Sequence, residues 1–418
     1  MTGIHVAFLE TNRTGSGYEV MRVAKQRGWR VTLVAKDFDF YLQPGQQPIP
    51  MDVFDEVVKV DTDDPEAVAE ILSQRPDRPD ALISASEFHM LGTARTGRLM
   101  KLRGQDPEAV RACRDKSLGR QLAASAGVPI PKFVLAATPE EAAAADVGFP
   151  CVVKPLDDSG SYGVRLCANS QEVADHAKAL LEWTHNEVGQ AKLPGVLVEE
   201  FMHGREISVE VIVADSKVNI IAITDKVLLP PPIFYEIGHT VPASLDPEVE
   251  RACREAAVQA LAAIGYDFGA AHVELMLTDD GPKLVEINCR LAGDQITRLV
   301  KLATGYDMHA ALLDIYLGTD PGAPPSSQGG AAIVFVPSPG GRILKLDGVE
   351  AARSMPHVVD VATFVEPGAV LPVEAAGYDR LGYVVTVAPD GPTAASSAQA
   401  ALGAIQVDAE AVAESDLR

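Results

Sequence analysis

Apolar runs typical of buried parallel strands alternate with amphipathic stretches typical of helices along the first hundred residues. This alternation predicts a doubly wound α/β domain over residues 1–110. The strands are predicted at 4–9, 31–35, 57–60 and 81–84, and the helices at about 17–27 and 68–72.

The first strand-to-helix turn carries Gly15-Ser16-Gly17. Glycines at such a turn can cradle a phosphate. These are too few and wrongly spaced for the dinucleotide-binding fingerprint. We therefore predict that the turn faces a substrate cleft.

The middle of the chain follows a different pattern. One helix is predicted over Asp106–Ala126, since Gly127 and the prolines just after it cannot continue a helix. Asp280-Gly281 between two alternating apolar runs is a strong hairpin signal. Further strands are predicted at 149–154, 164–168, 195–201, 206–214, 218–224, 271–277 and 282–288, with a helix at about 247–264.

The last hundred residues begin with a segment rich in Gly, Pro and Ser, residues 318–330, which is typical of a linker. Strands at 331–337, 358–365 and 381–388 then predict a small closing α+β unit.

Composition narrows the function classes. At 418 residues the chain exceeds one typical core, and its net charge of -22 argues against a nucleic-acid partner. The negative charge does not exclude a nucleotide as substrate, because a nucleotide needs only a few local cations and a metal. No apolar stretch approaches the roughly 20 residues that span a bilayer, and the N-terminus does not resemble a signal peptide. Five scattered cysteines without CxxC spacing fit a reducing compartment, so we expect a cytoplasmic protein.

The predicted hairpin over residues 271–290 carries the strongest chemical pattern. Glu274 lies in its first strand, while Glu286, Asn288 and Arg290 alternate along the second and share a face. Antiparallel pairing can bring the acids together. Carboxylate and amide oxygens suit Mg²⁺ that bridges nucleotide phosphates. Because both acids lie in apolar strands, this pattern favours a metal site over a solvated acidic surface.

A second pattern is a lysine that ends a buried strand and opens a Gly/Ser-rich loop. Lys154 precedes the loop 157–163, whose backbone N–H groups can bind phosphates. The loop lacks the GK[ST] ending of a P-loop, and no helix follows. An ordinary hairpin loop therefore stays an equal alternative.

The third pattern is a strand that ends in a short connector at 199–206. Adenine needs a hydrogen-bond acceptor and backbone contacts, and a ribose needs a carboxylate. Glu199, Met202 and Glu206 offer these groups. Taken alone, an exposed acidic turn is the simpler interpretation.

In this order, the patterns resemble the ATP-grasp superfamily over about residues 110–310. They match its first lysine (Lys116), its VVKP lysine (Lys154), its glycine-rich loop, its acidic hinge and its E…ExN metal pair. Together these five features are very specific.

Within the superfamily, the chain is most similar to the L-amino-acid ligases, which join amino acids into dipeptides. The similar segments are 235–240, 288–294 and the tail from Gly329. Cys289 is a departure, since many relatives carry Pro or Ala there.

The resemblance implies a mixed α/β and α+β fold: an N-terminal Rossmann-like domain, two lobes that clamp ATP, and a small C-terminal domain. The expected ranges are 1–110, 111–320 with a lid subdomain at about 129–205, and 329–410.

The resemblance also implies the ligands. ATP and two Mg²⁺ ions, replaceable by Mn²⁺, are expected, together with small carboxylate and amine substrates and a possible homodimer. The metal ions would be bound by Glu274, Glu286 and Asn288. The phosphates would be bound by Lys116, Lys154 and the lid residues Ser159, Gly160, Ser161 and Gly163. Adenine would be bound by Glu199, Phe201 and Met202, and the ribose by Glu206.

Two residues are expected to act on the reacting groups. The planar fork of Arg290 suits a phosphate or a tetrahedral oxyanion. His239 would orient the acyl phosphate or deprotonate the amine. His203 and His272 are expected to be structural.

Two other functions remain open at this point. An ATP-grasp carboxylase or nucleotide-precursor ligase would act through carboxyphosphate or an activated glycine. A nucleotide-binding sensor would lack catalysis, but every polar position that the chemistry needs is present.

Overall fold

The computed structural model describes residues 3–12, 16–42, 49–229, 234–323, 328–371 and 380–412. Gly15 of the first predicted turn and residues 324–327 of the predicted linker lie outside the described residues.

The N-terminal part is a four-stranded parallel sheet between helices, as the alternating pattern predicted. Its elements are β1 (His5–Leu9), α1 (Ser16–Gln26), β2 (Arg30–Ala35), β3 (Glu56–Lys59), α2 (Pro65–Ser73), β4 (Ala81–Ile83) and α3 (Met90–Met100). The strand order is β3-β2-β1-β4. Helix α1 packs on one face, and α2 and α3 pack on the other, so every residue of β1 is buried.

The single helix predicted over Asp106–Ala126 is wrong. The structure has two helices, α4 (Pro107–Arg114) and α5 (Lys116–Ser125). Asp115 between them is extended, and its carboxylate accepts from the N–H groups of Ser117 and Leu118. Such a cap satisfies the free donors of a new helix, so the capping residue outweighs the helical pattern around it.

A four-stranded antiparallel sheet follows. Its elements are β5 (Phe133–Ala136), α6 (Pro139–Ala143), β6 (Cys151–Pro155), β7 (Arg165–Cys167), α7 (Ser170–Leu181) and β8 (Val196–Glu200). The strand order β5-β8-β6-β7 places the end of β8 beside β6, so the predicted hinge and the predicted phosphate-binding lysine lie on neighbouring strands.

The largest sheet has eight strands, and the C-terminal strands continue it. Its strands are β9 (Arg205–Ala214), β10 (Lys217–Leu228), β11 (Glu236–Val241), β12 (Gly269–Thr278), β13 (Gly281–Asn288), β14 (Gly330–Pro337), β16 (Val358–Thr363) and β18 (Arg380–Ala388). Their order is β13-β12-β9-β10-β11-β14-β18-β16. Helices α8 (Pro247–Ala263), α9 (Ile296–Thr304) and α10 (Met308–Tyr316) flank this sheet.

Among the remaining C-terminal elements, three strands form a small sheet, and two helices pack on the large sheet. They are β15 (Gly341–Asp347), α11 (Val349–Arg353), β17 (Val370–Leu371), α12 (Gly391–Leu402) and β19 (Gln406–Glu410). Because β14 and β18 pair within the large sheet, no break in the sheet marks the domain boundary expected near residue 329, and that boundary stays a prediction.

One apolar core joins the N-terminal sheet to the large sheet. Phe8 and Leu33 pack in the same cluster as Ile333 and Leu313, all of them at 0% exposure. All five cysteines are free and buried. In the described part of the chain, none of the helices has both the length and the apolar character of a membrane span.

Candidate active site

Two carboxylates and an amide meet on one face of the hairpin β12–β13. Glu274 lies directly opposite Glu286, and His272 lies opposite Asn288. Opposed residues have Cβ atoms about 5 Å apart, and alternate residues share a face. Asn288 Nδ2 donates to Glu274 Oε1 at 3.3 Å. The three side chains predicted as metal ligands are thus brought together.

Lys116 joins this hairpin to the loop that follows β6. Its ammonium lies 2.9 Å from Glu286 Oε1 and donates to the carbonyl oxygen of Asp158 at 2.6 Å. The helix break at Asp115 creates this position, because Lys116 becomes the first residue of α5. A cation therefore bridges the predicted metal site and the base of the glycine-rich loop.

Lys154 lies at the end of β6 in a buried ionic group. Its ammonium is 2.6 Å from Glu199 Oε2, and Arg120 Nε is 2.5 Å from Glu199 Oε1. Burial opposes the charge of Glu199, but Arg120 and Lys154 outweigh it and lower its pKa to about 2. Burial lowers the pKa of Lys154, against the attraction of Glu199. Since cations engage both oxygens of Glu199, its part in adenine recognition stays a prediction.

Replacing Lys154 by alanine is expected to weaken ATP binding by about 10- to 100-fold, because a hydrogen bond to a charged group contributes roughly 1.5–3 kcal/mol. Glu199 keeps Arg120, so the fold should persist. Calorimetric titration with a non-hydrolysable ATP analogue measures the change. Lys301→Ala is the control, since Lys301 pairs with Asp307 on another surface. Unchanged affinity in Lys154→Ala would remove this residue from the nucleotide site.

The glycine-rich loop has a backbone that suits anion binding. Gly160, Ser161 and Gly163 all have positive φ, at 64°, 59° and 75°. Successive residues of this kind turn backbone N–H groups toward a concavity. Tyr162 stacks on Trp183 with ring centroids 5.0 Å apart, and a side chain at Gly163 would meet Trp183 at 2.9 Å. The loop thus packs against Trp183. Residues 159–163 remain predicted phosphate ligands.

The connector after β8 is lined by aromatic rings. Phe201 makes edge contacts with His203 and Phe234, at centroid distances of 4.7 and 6.4 Å. Met202 follows, half-buried, and β9 then brings in Glu206. Aromatic and apolar side chains close to a carboxylate in the chain have the character expected for binding adenine and ribose, and recognition of these groups here stays a prediction.

Lys226 on β10 is a buried cation that sequence reasoning missed. Its ammonium lies 2.5 Å from Glu206, 2.8 Å from Glu236 and 3.4 Å from Glu274. Burial opposes its charge, but the three carboxylates outweigh it and raise the pKa of Lys226 well above its usual value. The only sign of Lys226 in the sequence was that two consecutive charged residues, Asp225 and Lys226, interrupt an apolar strand.

His272 lies between two carboxylates. Its Nδ1 is 2.9 Å from Glu210 Oε2, and its Nε2 is 3.1 Å from Glu274 Oε1. Burial would lower the pKa of His272, but Glu210 and Glu274 raise it to about 10. Burial would raise the pKa of Glu274, but Lys226 and His272 hold it well below its usual range.

Arg290 is held by Glu87, which lies in the short helical turn Glu87–His89 between β4 and α3. Its Nε donates to Glu87 Oε2, and its Nη1 donates to the carbonyl oxygen of Leu291 at 3.1 Å. Glu87 Oε1 also accepts from Arg114 at 3.0 Å. Burial opposes the charge of Glu87, but Arg290 and Arg114 lower its pKa to about 2. Glu87 therefore orients Arg290 beside the predicted metal ligands.

His239 on β11 lies in a second group of acids. Its Nε2 is 3.2 Å from both Glu236 Oε2 and Asp294 Oδ2. Arg380 binds Asp294 with two hydrogen bonds of 2.7 Å and packs 3.5 Å from the ring centroid of Phe335. The buried Nδ1 of His239 has no hydrogen-bond partner within the described part of the chain.

Ion pairs connect several of the predicted residues with one another. Lys116 links the loop to Glu286, Lys226 links Glu206 to Glu274, and Glu236 links that network to His239. Sequence reasoning assigned no role to Arg120, Glu87 or Arg380, whose pairings join distant parts of the chain. It included Glu236 and Asp294 only as members of the segments 235–240 and 288–294.

Comparison with known proteins adds independent findings. Residues 147–298 match the ATP-grasp domain, and residues 334–410 match the L-amino acid ligase C-terminal domain 2. An uncharacterized protein of Sinorhizobium fredii, y4rH, is 34% identical over 84% of this chain and 73% of its own length.

Alanine–anticapsin ligase of Bacillus subtilis is 30% identical over 56% of this chain. The chain spans about half of that ligase, 53% of its length. The crystal structure of an L-amino acid ligase from Bacillus licheniformis superposes with a TM-score of 0.81 over 98% of this chain and 100% of that chain, at 20% identity. At this identity the likeness concerns the fold.

Proposed function

This chain belongs to the ATP-grasp family of carboxylate–amine ligases, and from that premise we propose that it joins an amino acid to an amine through an acyl phosphate, forming ADP and phosphate. ATP-grasp enzymes bind ATP. The carboxylate substrate, the amide product and the intermediate are the proposed part.

The group formed by Glu236, His239 and Asp294 is the observation that carries the amino-acid choice. Two carboxylate oxygens here lie within 3.2 Å of one imidazole nitrogen, which suits a cationic ammonium. Lys226 contacts both Glu236 and Glu274, so this group adjoins the proposed metal ligands. An α-ammonium bound there would direct the carboxylate of the same amino acid toward the phosphates.

The donor set at the hairpin fits Mg²⁺. Glu274 and Glu286 are opposed on neighbouring strands, Asn288 adds an amide oxygen, and the neighbouring cations keep Glu274 ionised. These three residues would hold the metal, which would supply charge neutralisation for phosphoryl transfer.

The chain's own residues then have distinct tasks in two steps. In the first step, a substrate carboxylate oxygen attacks the γ-phosphorus of ATP, the bond from that phosphorus to the β-phosphate oxygen breaks, and ADP leaves. Lys116 and Lys154 hold phosphate oxygens in line for this transfer.

In the second step, the amine attacks the acyl carbon, and inorganic phosphate departs with one former carboxylate oxygen. The departing phosphate takes up the proton that leaves the nitrogen. Arg290 stabilises the tetrahedral oxyanion. The glycine-rich loop excludes water, which would otherwise hydrolyse the acyl phosphate.

Screening pairs of amino acids with MgATP for phosphate release tests the proposal, followed by mass determination of the product. We expect ADP and phosphate in equal amounts with an amide, and ¹⁸O from the labelled carboxylate in the phosphate. AMP and pyrophosphate as stoichiometric products would overturn the acyl-phosphate route.

Two substrate controls complete this screen. Carboxylic acids without an amino group should be inactive as acyl donors if Glu236 and Asp294 bind an ammonium. Bicarbonate-dependent ADP formation in the absence of amino acids would favour a carboxylase instead.

The homodimer suggested by the superfamily is also part of the proposal. Sedimentation equilibrium measures the oligomeric state.

A further inference from the structure

Glu210 is a buried carboxylate for which the proposed reaction has no use. It lies on β9 at 0% exposure, directly opposite His272 on the neighbouring strand β12 of the hairpin that carries the proposed metal ligands. An ionised carboxylate in such a place is strongly destabilising unless it is paired and hydrogen-bonded. Ser208 Oγ donates to it at 2.7 Å, Thr224 Oγ1 at 3.0 Å and His272 Nδ1 at 2.9 Å. It is therefore fully satisfied and rigid.

The ring of His272 is fixed at both nitrogens. Nδ1 faces Glu210, and Nε2 faces Glu274 Oε1 at 3.1 Å. Both partners are carboxylates, so the ring lies between two hydrogen-bond acceptors. With 6% of its side chain exposed, His272 is set back from the surface that substrates reach.

The two oxygens of Glu274 have different surroundings. Oε1 accepts from His272 and from Asn288 Nδ2, whereas the nearest cation to Oε2 is Lys226 at 3.4 Å. A ligand carboxylate held on one oxygen presents the other in a defined direction. Partners behind a metal ligand that orient it in this way commonly change metal affinity by about 10- to 100-fold.

We propose that His272, anchored by Glu210, is a positioning residue that orients Glu274 toward the divalent cation. This inference rests on the proposed function, in which Glu274 is a metal ligand. It replaces the purely structural role that the sequence suggested for His272.

Two substitutions at this one position separate the two contacts. The amide nitrogen of asparagine occupies about the place of Nδ1, so His272→Asn keeps the bond to Glu210 and loses the bond to Glu274. Glutamine reaches about the place of Nε2, so His272→Gln does the reverse.

Mn²⁺ serves as the probe, and its dissociation constant is measured by electron paramagnetic resonance in the presence of ADP. We expect His272→Asn to weaken Mn²⁺ binding by about 10- to 100-fold and His272→Gln to change it much less. Glu210→Gln weakens the anchor by removing its charge, does not touch Glu274, and should weaken Mn²⁺ binding in the same direction. This variant also covers a failure of His272→Asn to fold.

The melting temperature without metal should follow the opposite order. His272→Gln leaves Glu210 with one donor fewer in a buried place, so it should destabilise the protein more than His272→Asn does. A purely structural His272 would instead make Mn²⁺ affinity follow the melting temperature in both variants, and that result would overturn the inference.

The Glu274→Gln variant separates this inference from the proposed function. If it binds Mn²⁺ as tightly as the wild type, Glu274 is not a ligand, and both the metal assignment and the inference fail. If Glu274→Gln loses Mn²⁺ while His272→Asn and Glu210→Gln bind it normally, the inference alone fails.

Discussion

Replacing Glu286 by glutamine is expected to lower phosphate release by at least about a hundredfold at saturating Mg²⁺, since metal stabilisation of the transferring phosphoryl group contributes several kcal/mol. The amide has the shape of the carboxylate but lacks its charge. The substitution also removes the ion pair with Lys116, whose ammonium keeps the carbonyl oxygen of Asp158. Catalysis should therefore be lost without loss of fold.

The matched control for Glu286→Gln lies on the same hairpin. Asp280 is at the turn, with 84% of its side chain exposed, so Asp280→Asn removes the same charge far from the proposed metal. Phosphate release and melting temperature are measured for both variants. Near-normal turnover in Glu286→Gln, or equal loss in Asp280→Asn, would rule out the metal assignment.

Local patterns were sufficient for most of the fold. Alternating strands and helices predicted the N-terminal sheet, and Asp280-Gly281 predicted the hairpin, because both depend on residues close together in sequence. The break at Asp115 was missed because one capping side chain outweighed a helical pattern that ran through it. The continuation of the large sheet by β14 and β18 was missed because the pairing of distant strands leaves no local trace.

In the candidate site, too, residues related by local structure could be predicted, and residues paired over long distances in the sequence could not. Glu274, Glu286 and Asn288 could be predicted because a hairpin fixes their relation, whereas Arg380 and Asp294, 86 residues apart, could not be paired. The register also shifts between Glu274 and Leu275. Such a bulge changes which side chains share a face and cannot be read from alternation. Lys226 shows the remaining limit, since a charged residue in an apolar strand does not reveal its partners.

Replacing Arg290 by lysine is expected to slow amide formation by at least about tenfold while leaving ATP affinity nearly unchanged, because one ammonium cannot reproduce the planar fork. In the structure, Arg290 Nε is committed to Glu87 and Nη1 to Leu291, which fixes the plane of the guanidinium. Lysine would keep the charge and lose this direction. An oxyanion that forms only in the transition state is sensitive to direction, whereas ground-state phosphate binding depends mainly on charge.

The slower amide formation expected in Arg290→Lys is measured as the ratio of ADP formed to amide formed. If Arg290 acts on amine attack, the lysine variant should still make acyl phosphate, lose part of it to water, and so raise the ratio above that of the wild type. Arg114→Lys is the matched control, since Arg114 shares Glu87 but lies at the end of α4, whereas Arg290 follows the strand β13 that carries two of the proposed metal ligands. Equal uncoupling in Arg114→Lys would mean that the Glu87 network acts through structure alone. If ATP affinity and the rate of amide formation fall together in Arg290→Lys, Arg290 binds phosphate and is not the donor that stabilises the oxyanion.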